Sequence, residues 1–136
     1  MTEEDLIAAA RAAASRAHAP YSKFAVGCAV ESVAGAVAVG ANVENACYRL
    51  GLCAEQAALA AAQVAFGLDQ VARVAIVAIS GDAPVTPCGG CRQAMLEASQ
   101  LSGRDIEVIC GGRQETLRTT ISQLLPHAFG PDRIGR

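Results

Sequence analysis

Two short stretches constrain this chain more than anything else in it: Cys53-Ala54-Glu55 and, beginning 34 positions after Cys53, Pro87-Cys88-Gly89-Gly90-Cys91. Three thiols and one carboxylate are the parts of a catalytic zinc site. Thiolates hold the metal, one coordination position stays open for water, and the carboxylate moves protons beside it. A chain carrying both stretches must fold so that they meet. Each lies where a buried strand or a loop runs into the start of a helical pattern. The positive end of a helix favours thiolate over thiol, so both positions are expected to lower the cysteine pKa.

A Cys-x-x-Cys pair alone also fits a redox motif or half of a structural zinc knuckle. Structural zinc takes four protein ligands, usually as two close pairs. The other half of this chain offers Cys47 and Cys53, six apart, a poor match to such a knuckle. A redox role leaves Glu55 and Pro87 without a purpose, whereas a catalytic metal uses both. Cys28, Cys47 and Cys110 read as buried small apolar residues rather than ligands. His18 and His127 lack metal spacing to the cysteines and read as surface or helix-end residues.

The chain's 136 residues, 52% of them apolar, are enough for one hydrophobic core. A single domain over 1–136 is expected, with a loose tail from about residue 130. The net charge is −2 and Lys23 is the one lysine, so no basic patch exists to bind nucleic acid. No apolar run is long enough for a membrane span. The opening Met1-Thr2-Glu3-Glu4-Asp5 is acidic, the reverse of a signal or transit peptide, so a cytoplasmic protein with reduced thiols is the expectation. Charged residues are only 18%, which suggests a surface partly covered by other subunits.

Thr2 reads as the N-cap of a first helix, with Asp5 three residues on, an alanine-rich body to about Ala17, and Pro20 as the stop. Phe24–Val30 and Ala36–Ala41 read as a hairpin turning at Glu31–Gly35, followed by the polar loop Asn42–Asn45. A second helix runs from Ala54 to about Phe66 and ends at Gly67. Strand Val71–Ser80, a helix from about Gly89 to Gln100 closed by Gly103, strand Asp105–Cys110, a short strand Glu115–Arg118 and a short helix Thr120–Leu125 complete the chain. This order predicts an α/β fold: a mixed five-stranded sheet with helices on both faces, hence three layers, α/β/α.

The Cys-Ala-Glu and Pro-Cys-x-x-Cys pair matches the general signature of zinc deaminases, in which a glutamate that is not a ligand acts as acid and base. Beyond it, the sequence resembles the small tetrameric cytidine deaminases along its whole length. The matching segments are Tyr21-Ser22-Lys23-Phe24-Ala25-Val26-Gly27, Asn42-Val43-Glu44-Asn45-Ala46-Cys47-Tyr48, Cys53-Ala54-Glu55, Pro87-Cys88-Gly89-Gly90-Cys91-Arg92-Gln93 and Leu124-Leu125-Pro126-His127-Ala128-Phe129.

The resemblance implies one zinc per subunit on Cys53, Cys88 and Cys91, with hydroxide attacking C4 of cytidine or deoxycytidine while Glu55 shuttles protons. It also implies that Ala54 and the carbonyl near Thr86 contact the base edge, that Asn42 and Glu44 hold the ribose 3′-hydroxyl, and that Phe24 lies near the ring. Tyr48 and Phe129 would stand at subunit junctions of a homotetramer whose sites neighbours complete. The Asn-x-Glu-Asn segment separates this chain from blasticidin-type deaminases, which lack it. A zinc-stabilised module without catalysis and a polynucleotide editor are the other readings; the missing basic surface argues against the editor.

One position departs from the pattern. The family usually has arginine directly after the catalytic glutamate, where this chain has Gln56. Three thiolates on Zn²⁺ leave about one excess negative charge, and a neutral amide can donate hydrogen bonds without offsetting it. Gln56 is expected to hold the thiolates through its amide, with Arg92 or another residue compensating in part.

Overall fold

A computed structural model describes residues 1–135. Helix α1 spans Glu3–Ala14 and opens with a reciprocal capping box, in which the Thr2 hydroxyl takes the Asp5 amide while the Asp5 carboxylate takes the Thr2 amide. It ends three residues before the expected Ala17, well ahead of Pro20. Strands β1 (Val26–Ser32) and β2 (Val37–Ala41) form the hairpin, turning through Gly35 at φ 91°, a left-handed conformation that glycine adopts without strain. Helix α2 (Ala54–Ala65), β3 (Val71–Ala78), α3 (Gly89–Ser102), β4 (Glu107–Gly111), β5 (Thr116–Thr120) and the single turn α4 (Ile121–Leu124) follow.

The strands make one sheet in the order β2-β1-β3-β4-β5. The β3–β4 pair is parallel and the other pairs are antiparallel, so the sheet is mixed as expected. The parallel pair is joined through α3, the crossover that two parallel neighbours require. Side chains alternate across it. Cys28, Val30, Val74, Ile76, Val108 and Cys110 pack on the face covered by α2 and α3. Ala29, Ala75, Val77 and Ile109 pack on the face covered by α1, against Leu6 and Ala10. This is the three-layer α/β/α arrangement.

Two glycines let helices lie against the sheet. A Cβ on Gly27 would fall 1.9 Å from the Ala10 carbonyl oxygen of α1, and one on Gly40 would fall 2.4 Å from the Ala58 nitrogen of α2. The second contact clamps α2 onto the hairpin and thereby sets where Cys53 stands. Where the sequence suggests a loose tail, Pro131–Ile134 forms a 3₁₀ turn with Pro131 buried and the Asp132 amide donating to Gln100 Oε1 at 2.9 Å.

Candidate metal centre and active site

The site forms where α2 and α3 begin. Cys53 is the N-cap residue of α2 and Cys88 that of α3, both in extended backbone, and neither helix start is closed by a side-chain hydrogen bond. Cys91 sits one turn inside α3 and is fully buried. The three Sγ atoms lie within 4.8 Å of one another, all six cysteines are free, and no disulfide competes. Sulfurs arranged tetrahedrally at about 2.3 Å from zinc would be roughly 3.8 Å apart, so this set suits one zinc ion.

Burial pushes the Cys53 thiol up, and it raises Cys91 well above the ordinary thiol range, with the Glu55 carboxylate adding to the effect. Cys88 moves the other way, because the amides of Cys91 and Gly90 favour its thiolate. The expectation that both helix starts lower thiol pKa therefore holds at Cys88 alone. At the other two sulfurs, desolvation and neighbouring negative charge exceed the helix effect. A cation among three such sulfurs reverses that balance.

Glu55 is 6% exposed. Ala54, Ala58 and Ala62 share the buried side of α2 with Glu55 and Leu59, so the carboxylate occupies a position that its helix otherwise fills with apolar groups. Burial raises its pKa, which suits a group that must both take and give a proton. Gln56 Nε2 donates to Cys91 Sγ at 3.9 Å, so its amide reaches one of the three sulfurs rather than several.

Arg92 does not compensate in the way expected. Its guanidinium donates to the Pro87 carbonyl at 2.7 Å, the Leu124 carbonyl at 2.9 Å and the Thr86 hydroxyl at 3.2 Å. It braces the loop before Cys88 against α4 instead of donating to the sulfurs. Its side chain leaves α3 toward acceptors close in space but up to 32 residues away, a direction no local pattern encodes.

A cavity of about 260 Å³ opens beside the sulfurs, lined by Cys53, Ala54, Glu55 and Cys88 on one side and by Phe24, Asn42 and Glu44 on another. Ser22, Val26, Ile76, Val85 and Thr86 complete its wall. Phe24 stands before β1 and is 38% exposed, so its ring belongs to the cavity more than to the core. Asn42 is pinned at both ends, accepting from the Val26 amide at 2.9 Å and donating to the Phe24 carbonyl at 2.8 Å.

Glu44 accepts from the amides of Tyr21 and Ser22 at 3.0 and 3.1 Å and from the Ser22 hydroxyl. These contacts, the Ser22 hydroxyl first, hold its carboxyl below the usual range. Ser22, Ile76 and Val85 carry no role in the sequence reading. Ser22 lies inside a matched motif, which was the one available signal for it.

Tyr48 and Phe129 are not brought to this cavity. Tyr48 lines an adjoining cavity of about 320 Å³ with Tyr21, Ser22 and Glu44, and its ring meets Tyr21 at a centroid distance of 5.7 Å. The Phe129 ring is exposed while its carbonyl accepts from Gln93 at 2.7 Å. Cys28 and Cys110 are buried as expected, and burial pushes Cys110 up to about 11. Cys47 is a correction: it is exposed, because it ends the loop ahead of the 3₁₀ turn Tyr48–Leu50, outside both helix-covered faces of the sheet.

A family model described as the cytidine and deoxycytidylate deaminase zinc-binding region matches residues 1–102. The chain belongs to that family. It is 43% identical over 130 residues to a cytidine deaminase of Halalkalibacterium halodurans, covering 95% of each chain. It is 36% identical over 132 residues to the cytidine deaminase of Sporosarcina psychrophila, covering 97% of this chain and 94% of the other. Among solved structures, the crystal structure of cytidine deaminase from Burkholderia pseudomallei superposes with a TM-score of 0.87 at 43% identity, covering 95% of this chain and 100% of that one. The deaminase family membership and the Cys53-Cys88-Cys91 cluster agree on zinc as the metal.

Proposed function

We propose that this chain hydrolyses the 4-amino group of cytidine and 2′-deoxycytidine, giving uridine or deoxyuridine and ammonia. The observation that carries the reading is a buried glutamate in the same cavity as three sulfurs within 4.8 Å of one another. Membership of the cytidine and deoxycytidylate deaminase family, and relatives named cytidine deaminase, support the substrate.

Cys53, Cys88 and Cys91 would hold the zinc, and Gln56 would support Cys91 from behind. Zinc supplies a Lewis acid that brings the pKa of a water molecule near neutral. Glu55 takes the proton of the attacking water and delivers it to N3 of the pyrimidine. It then carries the second proton to the departing amine, so one water is consumed and one ammonia leaves. The Ala54 amide, at the unclosed start of α2, is free to donate to the base edge, and the carbonyl near Thr86 can accept from it. Asn42 and Glu44 hold the sugar, and Phe24 covers the ring.

Residues 1–136 act in this proposal as one catalytic domain. Tyr48 is 77% exposed and Phe129 is 64% exposed. Rings left in water by a single chain fit a homotetramer in which Tyr48 and Phe129 serve subunit junctions and neighbouring sites. Six free cysteines fit a reducing, cytoplasmic setting, and the proposed conversion of cytidine to uridine fits a role in pyrimidine salvage. Among the described residues, no helix is long and apolar enough to cross a membrane. Incubating zinc-loaded protein with cytidine and following the loss of cytosine absorbance tests the proposal, and no turnover with zinc bound would overturn it.

A further inference from the structure

Glu44 reaches the sugar side of the cavity with most of its hydrogen-bonding capacity already committed. Oε1 accepts two amides, those of Tyr21 and Ser22, and Oε2 accepts the Ser22 hydroxyl. An ionised carboxylate has about four lone-pair sites, so three are occupied and the one remaining lies on Oε2. Ser22 Oγ accepts the Phe24 amide at 3.0 Å, which leaves its single proton directed at Glu44. The chain takes an unusual path to allow this. Lys23 is left-handed at φ 59°, and its amide donates to the Ala19 carbonyl at 3.0 Å. A side-chain-bearing residue in that region is strained and persists only where its surroundings enforce it.

Asn42 completes the arithmetic. After its contacts to Val26 and Phe24, its amide keeps one N–H and one lone pair. One free acceptor on Glu44 and one free N–H on Asn42 satisfy a single hydroxyl as donor and as acceptor. Ser22 and Glu44 also form the wall shared by the inner and adjoining cavities, so rotation of the carboxylate would open it toward Tyr21 and Tyr48.

We infer that Ser22 is a positioning residue for sugar selectivity. By fixing the Glu44 carboxylate and filling one site on Oε2, it leaves one acceptor for one sugar hydroxyl and makes the enzyme prefer nucleosides that carry it. The inference rests on the proposed assignment of Asn42 and Glu44 to the sugar.

The test compares kcat/KM for cytidine and 3′-deoxycytidine in the wild type, Ser22→Ala and Ser22→Thr, with zinc content measured in each. The wild type should prefer cytidine. Ser22→Ala should lower kcat/KM for cytidine about tenfold and leave 3′-deoxycytidine within about twofold, as expected for a misplaced hydrogen bond to a charged group. Ser22→Thr, which keeps the hydroxyl, should restore the preference, and zinc should stay at one per chain throughout. Equal losses on both substrates, no loss, or loss of zinc in Ser22→Ala would overturn the role of Ser22 and leave the sugar assignment standing. A wild type that does not distinguish the two substrates would overturn the sugar assignment and the inference together.

Discussion

Helix α1 starts in one way and helices α2 and α3 in another. At α1, Thr2 and Asp5 satisfy each other's backbone amides, so the helix start is chemically closed by its own side chains. At α2 and α3, the N-cap residues are Cys53 and Cys88, and no side chain closes either start. A thiol is a weak acceptor and a poor substitute for serine, threonine or aspartate in that place. The difference fits two kinds of helix. Helix α1 covers one face of the sheet, whereas α2 and α3 leave unclosed starts that the proposed metal and substrate would use.

Substitutions at the unclosed starts should therefore cost function, and those at the closed start should cost only stability. The largest effect is expected from Cys91→Ser, which removes a buried thiolate. Zinc content should fall from one per chain to near none, and cytidine turnover should vanish with it. Retention of both would break the contrast by showing that α3 does not need its sulfur.

Glu55→Gln comes next. It preserves shape and removes proton transfer, so kcat should fall by about 10²- to 10⁴-fold with zinc retained. Full activity would dismiss Glu55 as the proton carrier. Gln56→Arg adds a positive charge beside Cys91, close to the excess negative charge of three thiolates. A several-fold rise in kcat is expected. A fall would show that the metal centre is tuned around the neutral amide.

The smallest effect belongs to α1. Thr2→Ala should lower the thermal midpoint by about 3 °C without touching kcat. This start is also pH-sensitive. The Thr2 backbone and side-chain hydrogen bonds hold the Asp5 carboxyl below its ordinary value of 3.8. A depressed folded pKa contributes stability that is present above the unfolded value and is lost as pH falls through the folded one. The stability difference between wild type and Thr2→Ala, read from denaturant titrations, should narrow below that range. A constant difference down to acid pH would mean that the Thr2 hydroxyl plays no part in holding the Asp5 carboxylate.

Much of this was legible in the amino acids because it is local. The Thr2–Asp5 box, Gly67 and Gly103 after their helices, and the apolar periods of β3 and α2 each depend on residues a few positions apart. The strand boundary at Val26 rather than Phe24 was less legible, since a phenylalanine ahead of an apolar run suits a strand as well as a cavity wall. The exposure of Cys47 was hidden for a similar reason: a cysteine beside a tyrosine and a leucine looks buried until the sheet faces are assigned.

From sequence alone, then, came the element order, the mixed sheet, and the three cysteines and one glutamate of the proposed site, because period, capping and residue chemistry act over a turn or two of chain. Tertiary structure alone decided how those groups are held. It sent Arg92 to Leu124 and away from the sulfurs, set the Gln56 amide on Cys91 and locked Glu44 against Ser22, contacts spanning 32, 35 and 22 residues. Side chains so far apart in sequence meet only when the sheet and its two helix layers have packed, so their partners follow from the geometry of that packing.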